Sequence, residues 1–171
     1  MAYSAPFIKP ILAHVYDPAR ADPKGMWMSE KLDGVRACWT GDRLLTRTGK
    51  PIAAPASWLR RLPPAVALDG ELTLGRGRFQ DTVSVVRSKS GRDADWEAVR
   101  YCVFDAPAAG GPFSHRHDLV LAAARAKTDG VVAAVQQEVC RGPEHLEREL
   151  EAMLAAGGEG LMLRDLSLIH I

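Results

Sequence analysis

Lys31 sits in the one stretch whose residue types could carry covalent chemistry, Ser29-Glu30-Lys31-Leu32-Asp33-Gly34-Val35-Arg36. It follows the apolar run Met26-Trp27-Met28 and precedes an Asp-Gly turn. A lysine held at the end of a strand reaches far fewer positions than one on an open surface. If it faces a pocket, its amine can act as a nucleophile. A second reading stays open at this point. Asp-Gly is a common turn pair, so Lys31 could equally be a solvated residue beside a hairpin.

Other chemistries find weaker support. His115-x-His117 has no third ligand at a useful spacing and reads as a helix-start or loop pair. Gly75-Arg76-Gly77 is too short for a phosphate-binding glycine fingerprint, and no P-loop or Gly-x-Ser-x-Gly elbow exists. Cys38, Cys102 and Cys140 form no CxxC pair, so neither a zinc knuckle nor a disulfide framework is indicated. Three buried thiols are expected instead.

Charge is spread unevenly. The chain of 171 residues carries a net +1, yet residues 31–92 hold 12 Lys/Arg against 5 Asp/Glu. A local basic surface of this kind can meet phosphates, or it can be a solvated face. Apolar residues at 47% and charged residues at 25% fit a globular domain. No apolar run approaches membrane-spanning length, so no membrane partner is expected. The first ten residues lack a charged segment followed by an apolar one, which makes the cytoplasm the default location.

The elements that must position Lys31 are short. Residues 1–25, with Pro6, Pro10, Pro18 and Pro23, read as an irregular arm. Strands are expected at 26–30, 35–39 and 43–47, as an antiparallel meander. A short helix lies around 57–61. The run 65–74 reads as a buried strand carrying Asp69 and Glu71, and such carboxylates need a partner or a metal. Gly75 to Arg78 is a basic loop, and 81–87 fits either a strand or a capped helix. Strands follow at 99–105, 131–139 and 159–164, with helices at 117–126 and 143–156. In the last helix Pro143 suits a first turn, Leu146, Leu150, Met153 and Leu154 form an apolar face, and Gly157-Gly158 ends it. The fold class is α+β with an antiparallel core.

Five blocks occur in order: Lys31-x-Asp33-Gly34-x-Arg36, Thr46-Arg47-Thr48-Gly49-Lys50, Leu68-Asp69-Gly70-Glu71-Leu72, Val103-Phe104-Asp105 and Gly158-Glu159-Gly160-Leu161-Met162-Leu163-Arg164. With Gly75-Arg76-Gly77-Arg78-Phe79-Gln80, this set resembles the adenylation domain of ATP-dependent DNA ligases, of the minimal bacterial type, in the covalent nucleotidyltransferase superfamily. The likeness covers about residues 10–165. It implies an antiparallel-sheet, ATP-grasp-like adenylation fold over 26–165, after an arm at 1–25 and before an atypical tail at 166–171.

By that resemblance Lys31 attacks the α-phosphate of ATP to give a lysyl-adenylate, and AMP then passes to the 5′-phosphate of nicked double-stranded DNA for sealing. Attack needs a neutral amine, which nearby cations favour. Glu30, Arg36, Glu71, Phe104 and Glu159 would join Lys31 in binding ATP. Arg36 would touch the nucleotide or the nick phosphate, Glu71 the ribose or a metal, and Phe104 the adenine. Glu159, Glu71 and Asp33 would sit near Mg2+ or Mn2+ as hard oxygen ligands. Arg47, Arg76, Arg78, Arg87 and Lys89 would contact DNA. Asp69 and Asp105 would be structural acceptors. A monomer is expected, with roles in DNA repair, replication and recombination.

An RNA ligase or an mRNA-capping guanylyltransferase shares the lysine block, and a non-catalytic nucleotide or nucleic-acid binding remnant is the alternative from another class. After Arg164-Asp165 the family continues to a Lys-x-Lys strand and an OB-fold domain, whereas this sequence reads Leu166-Ser167-Leu168-Ile169-His170-Ile171. The expectation is therefore a truncated domain without the OB fold, weak in binding ATP and catalytically impaired on its own.

Overall fold

The structure, a computed structural model, describes residues 4–88, 91–127 and 129–165. Lys89 and the tail 166–171 lie outside the described residues.

In chain order the strands are β1 (Trp27–Glu30), β2 (Val35–Trp39), β3 (Leu44–Thr46), β4 (Leu68–Thr73), β5 (Arg100–Asp105), β6 (Val132–Ala134), β7 (Glu138–Val139) and β8 (Leu161–Arg164). The helices are α1 (Ala56–Leu59), α2 (Phe79–Arg87), α3 (Asp93–Trp96), α4 (Phe113–Arg125) and α5 (Pro143–Ala155), with a 3-10 turn at Pro107–Ala109. The strands form two sheets, one of three strands in the order β7-β1-β8 and one of five in the order β3-β2-β4-β5-β6. All pairings are antiparallel except β5 with β6.

The expected meander over 26–47 is only half present. β2 and β3 form the hairpin, but β1 pairs with β7 and β8 in the smaller sheet. The chain changes sheets within Lys31 to Gly34, which explains why the Asp-Gly pair is not a simple hairpin turn. Gly34 passes close to β4: a Cβ there would lie 2.3 Å from the Leu72 carbonyl oxygen and 2.9 Å from Glu71 Cγ. The crossing is therefore open to glycine and closed to larger residues. Thr73 Oγ1 donates to Asp33 O at 3.3 Å and ties the same turn to the end of β4.

One face of the five-stranded sheet is the core. Ala37, Trp39, Leu72, Tyr101 and Val103 pack there with Trp58, Val86, Trp96 and Val120 from the helices. Trp58 and Trp96 meet edge to face at 4.8 Å, a favoured aromatic geometry. Gly70, in the central strand, leaves room for the Tyr101 ring, since a Cβ would meet Tyr101 Cε2 at 2.8 Å. The Tyr101 hydroxyl thereby reaches Ala37 O at 2.9 Å and Leu68 O at 3.0 Å. The opposite face carries the alternate residues Arg36, Asp69, Glu71 and Phe104.

The ambiguous segment 81–87 is helical. Thr82 Oγ1 donates to Arg78 O and accepts from Leu74 N, so α2 is stapled to the end of β4. The single strand expected over 131–139 is two, because β6 joins the larger sheet and β7 the smaller. α3 gives little signal in four residues, and it forms because Trp96 is drawn into the core. The expected apolar face of α5 is not a core face: His145 is its buried residue, while Leu154 is 51% exposed. Cys38 and Cys140 are buried, but Cys102 is only partly so, because it stands on the non-core face of β5. Residues 4–25 hold no helix or strand, and Ala5 N donates to Thr40 O at 2.8 Å.

Candidate active site

Lys31 follows the last residue of β1, and Glu159 precedes β8 by two residues. β1 and β8 pair antiparallel with Glu30 opposite Leu161, and Lys31 N donates to Gly160 O at 2.9 Å to extend the ladder. This register brings Lys31 and Glu159 side by side, and Lys31 Nζ donates to Glu159 Oε1. α5 delivers the carboxylate. Gly157 N bonds Leu154 O and Gly158 N bonds Met153 O, the paired closure of a Schellman motif, and Glu159 is the next residue.

Both side chains border an open cavity of about 670 Å³, with Glu30, Asp33, Arg76 and Cys102 also on its wall. Arg76 grips Glu30 through Nε at 2.7 Å and Nη2 at 3.0 Å. Its guanidinium is committed within the protein, so the structure does not leave Arg76 as a free DNA-contacting side chain.

Arg36 lies on the non-core face of the larger sheet, where it forks onto Asp69 with Nε–Oδ1 at 3.0 Å and Nη2–Oδ2 at 2.6 Å. Its guanidinium also stands over the Phe104 ring, 5.0 Å from the centroid. Asp69 is thus the acceptor expected of it, and it consumes the fork of Arg36. Asp105 plays the same part at the end of β5, accepting from Arg116 Nε at 2.7 Å and Arg164 Nη1 at 2.8 Å. Burial alone would raise its pKa, but those two arginines outweigh burial and hold the carboxyl below its usual range. Arg116 gave no functional signal in sequence, since a lone arginine in a helix reads as solvated, yet it is fully buried.

Glu71 faces Arg36 across β2 and β4. Burial pushes its carboxyl up to about 7, opposed by Arg36 and Lys31 and assisted by Asp69 and Asp33. Burial likewise holds the Cys102 thiol up at about 11, so it stays protonated and unreactive near neutral pH.

Asp33, Glu71 and Glu159 do not gather into one cluster: among the described residues, no three of His, Cys, Asp or Glu come together as a metal-holding group. The physical reason is topological, since Glu159 belongs to the smaller sheet's ladder and Glu71 to the larger sheet. Mg2+ is commonly held by one or two carboxylates with water and substrate phosphates, so the donor set still fits through Glu159, with Asp33 nearby. Arg47 is exposed one residue past the Thr46–Ala37 pair, Arg78 pairs with Asp81 at 3.0 Å, and Arg87 is exposed at the end of α2. All three are exposed, and none is on the wall of the cavity that Lys31 and Glu159 border. His115 and His117 fall inside α4, with His117 edge-on to Trp27.

Known proteins resemble this chain in sequence and in fold. The family model of the ATP dependent DNA ligase domain matches residues 10–170. A DNA ligase of Haemophilus influenzae is 33% identical over 155 residues, which is 91% of this chain and 56% of that protein. Among solved structures, one from a structure–function study of Lig E DNA ligases superposes with a TM-score of 0.84 at 37% identity, over 93% of this chain and 62% of that one. The Chlorella virus DNA ligase–adenylate has a TM-score of 0.76 at 20% identity, over 94% and 62%, and shows the shared fold. The chain thus spans about three-fifths of the length of these relatives. Matched over nearly all of its length in sequence and in fold, the chain belongs to the ATP-dependent DNA ligase domain family.

Proposed function

We propose that this chain provides the adenylation step of an ATP-dependent DNA ligase, with residues 26–165 as the adenylation domain and 1–25 as an arm. The observation that carries this reading is the placement of Lys31 beside Glu159 at the mouth of a cavity large enough for a nucleotide.

In this reading the Lys31 amine gives up a proton and attacks the α-phosphorus of ATP. A P–N bond forms, the bond to the bridging oxygen breaks, and pyrophosphate leaves. An oxygen of the DNA 5′-phosphate then displaces the lysine and takes the AMP. The neighbouring 3′-hydroxyl attacks that 5′-phosphorus, and AMP departs. The chain's own contribution is orientation and charge. The β1–β8 ladder fixes the line of approach of Lys31. Glu71 holds a proton to about pH 7, so its carboxyl can both accept from and donate to ribose hydroxyls. Phe104, with Arg36 over one face, offers adenine the other. Arg47, Arg78 and Arg87 supply a basic surface for the backbone of a nicked duplex. Glu159, with the substrate phosphates, would hold a divalent ion, Mg2+ or Mn2+, which would neutralise charge on the phosphoryl oxygens. Action as a monomer in the cytoplasm, in repair, replication or recombination, belongs to the same proposal.

The test is incubation of the chain with α-labelled ATP, GTP or NAD, followed by mapping of the adduct. Label from ATP on Lys31, absent in Lys31→Ala, is the expected result. Label from GTP alone would make it a capping-type enzyme, and label from NAD alone would remove the ATP reading. Salt-sensitive nick binding without any adduct would mark a non-catalytic binding module.

A further inference from the structure

We propose that Arg76 is a positioning residue that clamps the end of β1 to the end of α5, and so holds Lys31 against Glu159. This rests on Lys31 being the nucleophile.

Three sides of one guanidinium are engaged. Nε and Nη2 fork onto Glu30 at 2.7 and 3.0 Å, and Glu30 is bonded covalently to Lys31. Nη1 donates to Ala156 O at 3.0 Å, and Nη2 lies 3.4 Å from Met153 Sδ. Ala156 is the C-cap of α5, three residues before Glu159. A cation on the last carbonyls of a helix is favourably placed against the helix dipole. The loop carrying Arg76 is itself anchored: Gly75 N donates to Thr73 Oγ1 at 2.9 Å, and that hydroxyl donates to Asp33 O. One loop therefore touches the segment before Lys31, the turn after it and the segment before Glu159.

A planar fork makes these contacts from three separate nitrogens, whereas the three donors of an ammonium sit on one nitrogen and do not span Glu30 and Ala156 with the same geometry. The Arg76 side chain is 44% exposed, so the contacts add little to global stability. Their consequence lies in alignment, where a small displacement of reacting groups costs a large factor in rate. With its edges occupied, Arg76 has little left to offer a DNA phosphate.

The experiment compares Arg76→Ala, Arg76→Lys, Glu30→Gln and the Arg76→Ala/Glu30→Gln pair in the full chain. Lysyl-AMP formation is read over a range of ATP concentrations, and amide hydrogen exchange is read in the absence of nucleotide. Arg76→Ala is expected to lower the rate at saturating ATP by about tenfold, with KM for ATP changed by less than about threefold. Arg76→Lys recovers little, and adding Arg76→Ala to Glu30→Gln changes the rate by less than about twofold, because the two act as a unit. In Arg76→Ala the Lys31 amide, bonded to Gly160 O, exchanges faster. Full activity in Arg76→Ala, full rescue by lysine, or a defect confined to nicked-duplex binding would each overturn the clamp. If the wild-type chain takes no label from ATP, the ligase reading fails by itself. The exchange measurement then decides the clamp, with unchanged protection at Lys31 counting against it.

Discussion

Arg36 and Asp69 form a bidentate ion pair across β2 and β4, and the same guanidinium covers one face of the Phe104 ring. Three of the five sequence blocks meet in that one contact. Asp69 is almost fully buried, with 3% residue exposure, so its charge has few alternatives to Arg36. Asp69→Ala is expected to destabilise the chain by about 3 kcal/mol, since it leaves a half-buried guanidinium unpaired. Arg36→Lys keeps the charge but loses the fork and the ring contact, and about 1–2 kcal/mol with them. Urea unfolding of the two variants checks both values.

Glu71 should make stability depend on pH. Its folded form holds the proton to about 7 because ionisation would leave a charge in a desolvated site. Stability from this group is complete below the ordinary glutamate range and is lost as pH rises through about 7. Glu71→Gln removes that loss. The variant should gain on the order of 2 kcal/mol over wild type at pH 8 and nearly nothing at pH 4. Denaturant titrations at the two pH values, without nucleotide, measure the difference.

Gly34→Ala should disable the site more than it unfolds the chain. The new methyl group would sit 2.3 Å from the Leu72 carbonyl, which is backbone and cannot swing aside. The turn from Lys31 to Gly34 must move, at about 1–3 kcal/mol of strain. Adduct formation should fall about a hundredfold, as expected for displacement of a reacting group by an ångström or so. Mass spectrometry of the ATP-treated variant, beside its melting curve, separates the two effects.

Glu159→Gln tests the partner of the nucleophile. Lys31 and Glu159 side chains are 46% and 40% exposed, so loss of their ion pair should change stability by less than about 1 kcal/mol. Lysyl-AMP formation should nevertheless drop at least tenfold, because the carboxylate that would hold the divalent ion and that pairs with Lys31 has lost its charge. An unchanged rate at saturating ATP and Mg2+ would remove Glu159 from the site.

Much of this architecture is legible in residue order. Apolar alternation marks β2, β4 and β5, and the Pro143 start and Gly157-Gly158 stop frame α5. The five blocks identify a lysine with its carboxylates, its arginines and an aromatic residue. These are local signals, carried by pattern and side-chain chemistry.

Partnership is not local. Whether β1 pairs with β2 or with β8 depends on hydrogen bonds between segments some 130 residues apart, and the crossing between the sheets passes through Gly34, where a side chain would strike the Leu72 carbonyl. Asp69 and Glu71 stand two residues apart on one strand and look alike in sequence. Only the fold gives Asp69 a forked arginine and leaves Glu71 to hold its proton. Arg76 reads as one more basic loop residue until the ends of β1 and α5 are seen to converge on it. The sequence by itself determined which groups are present and in what order. Tertiary structure alone decided which charges are paired and where each one points, because desolvation and ion pairing act between residues that only folding brings together.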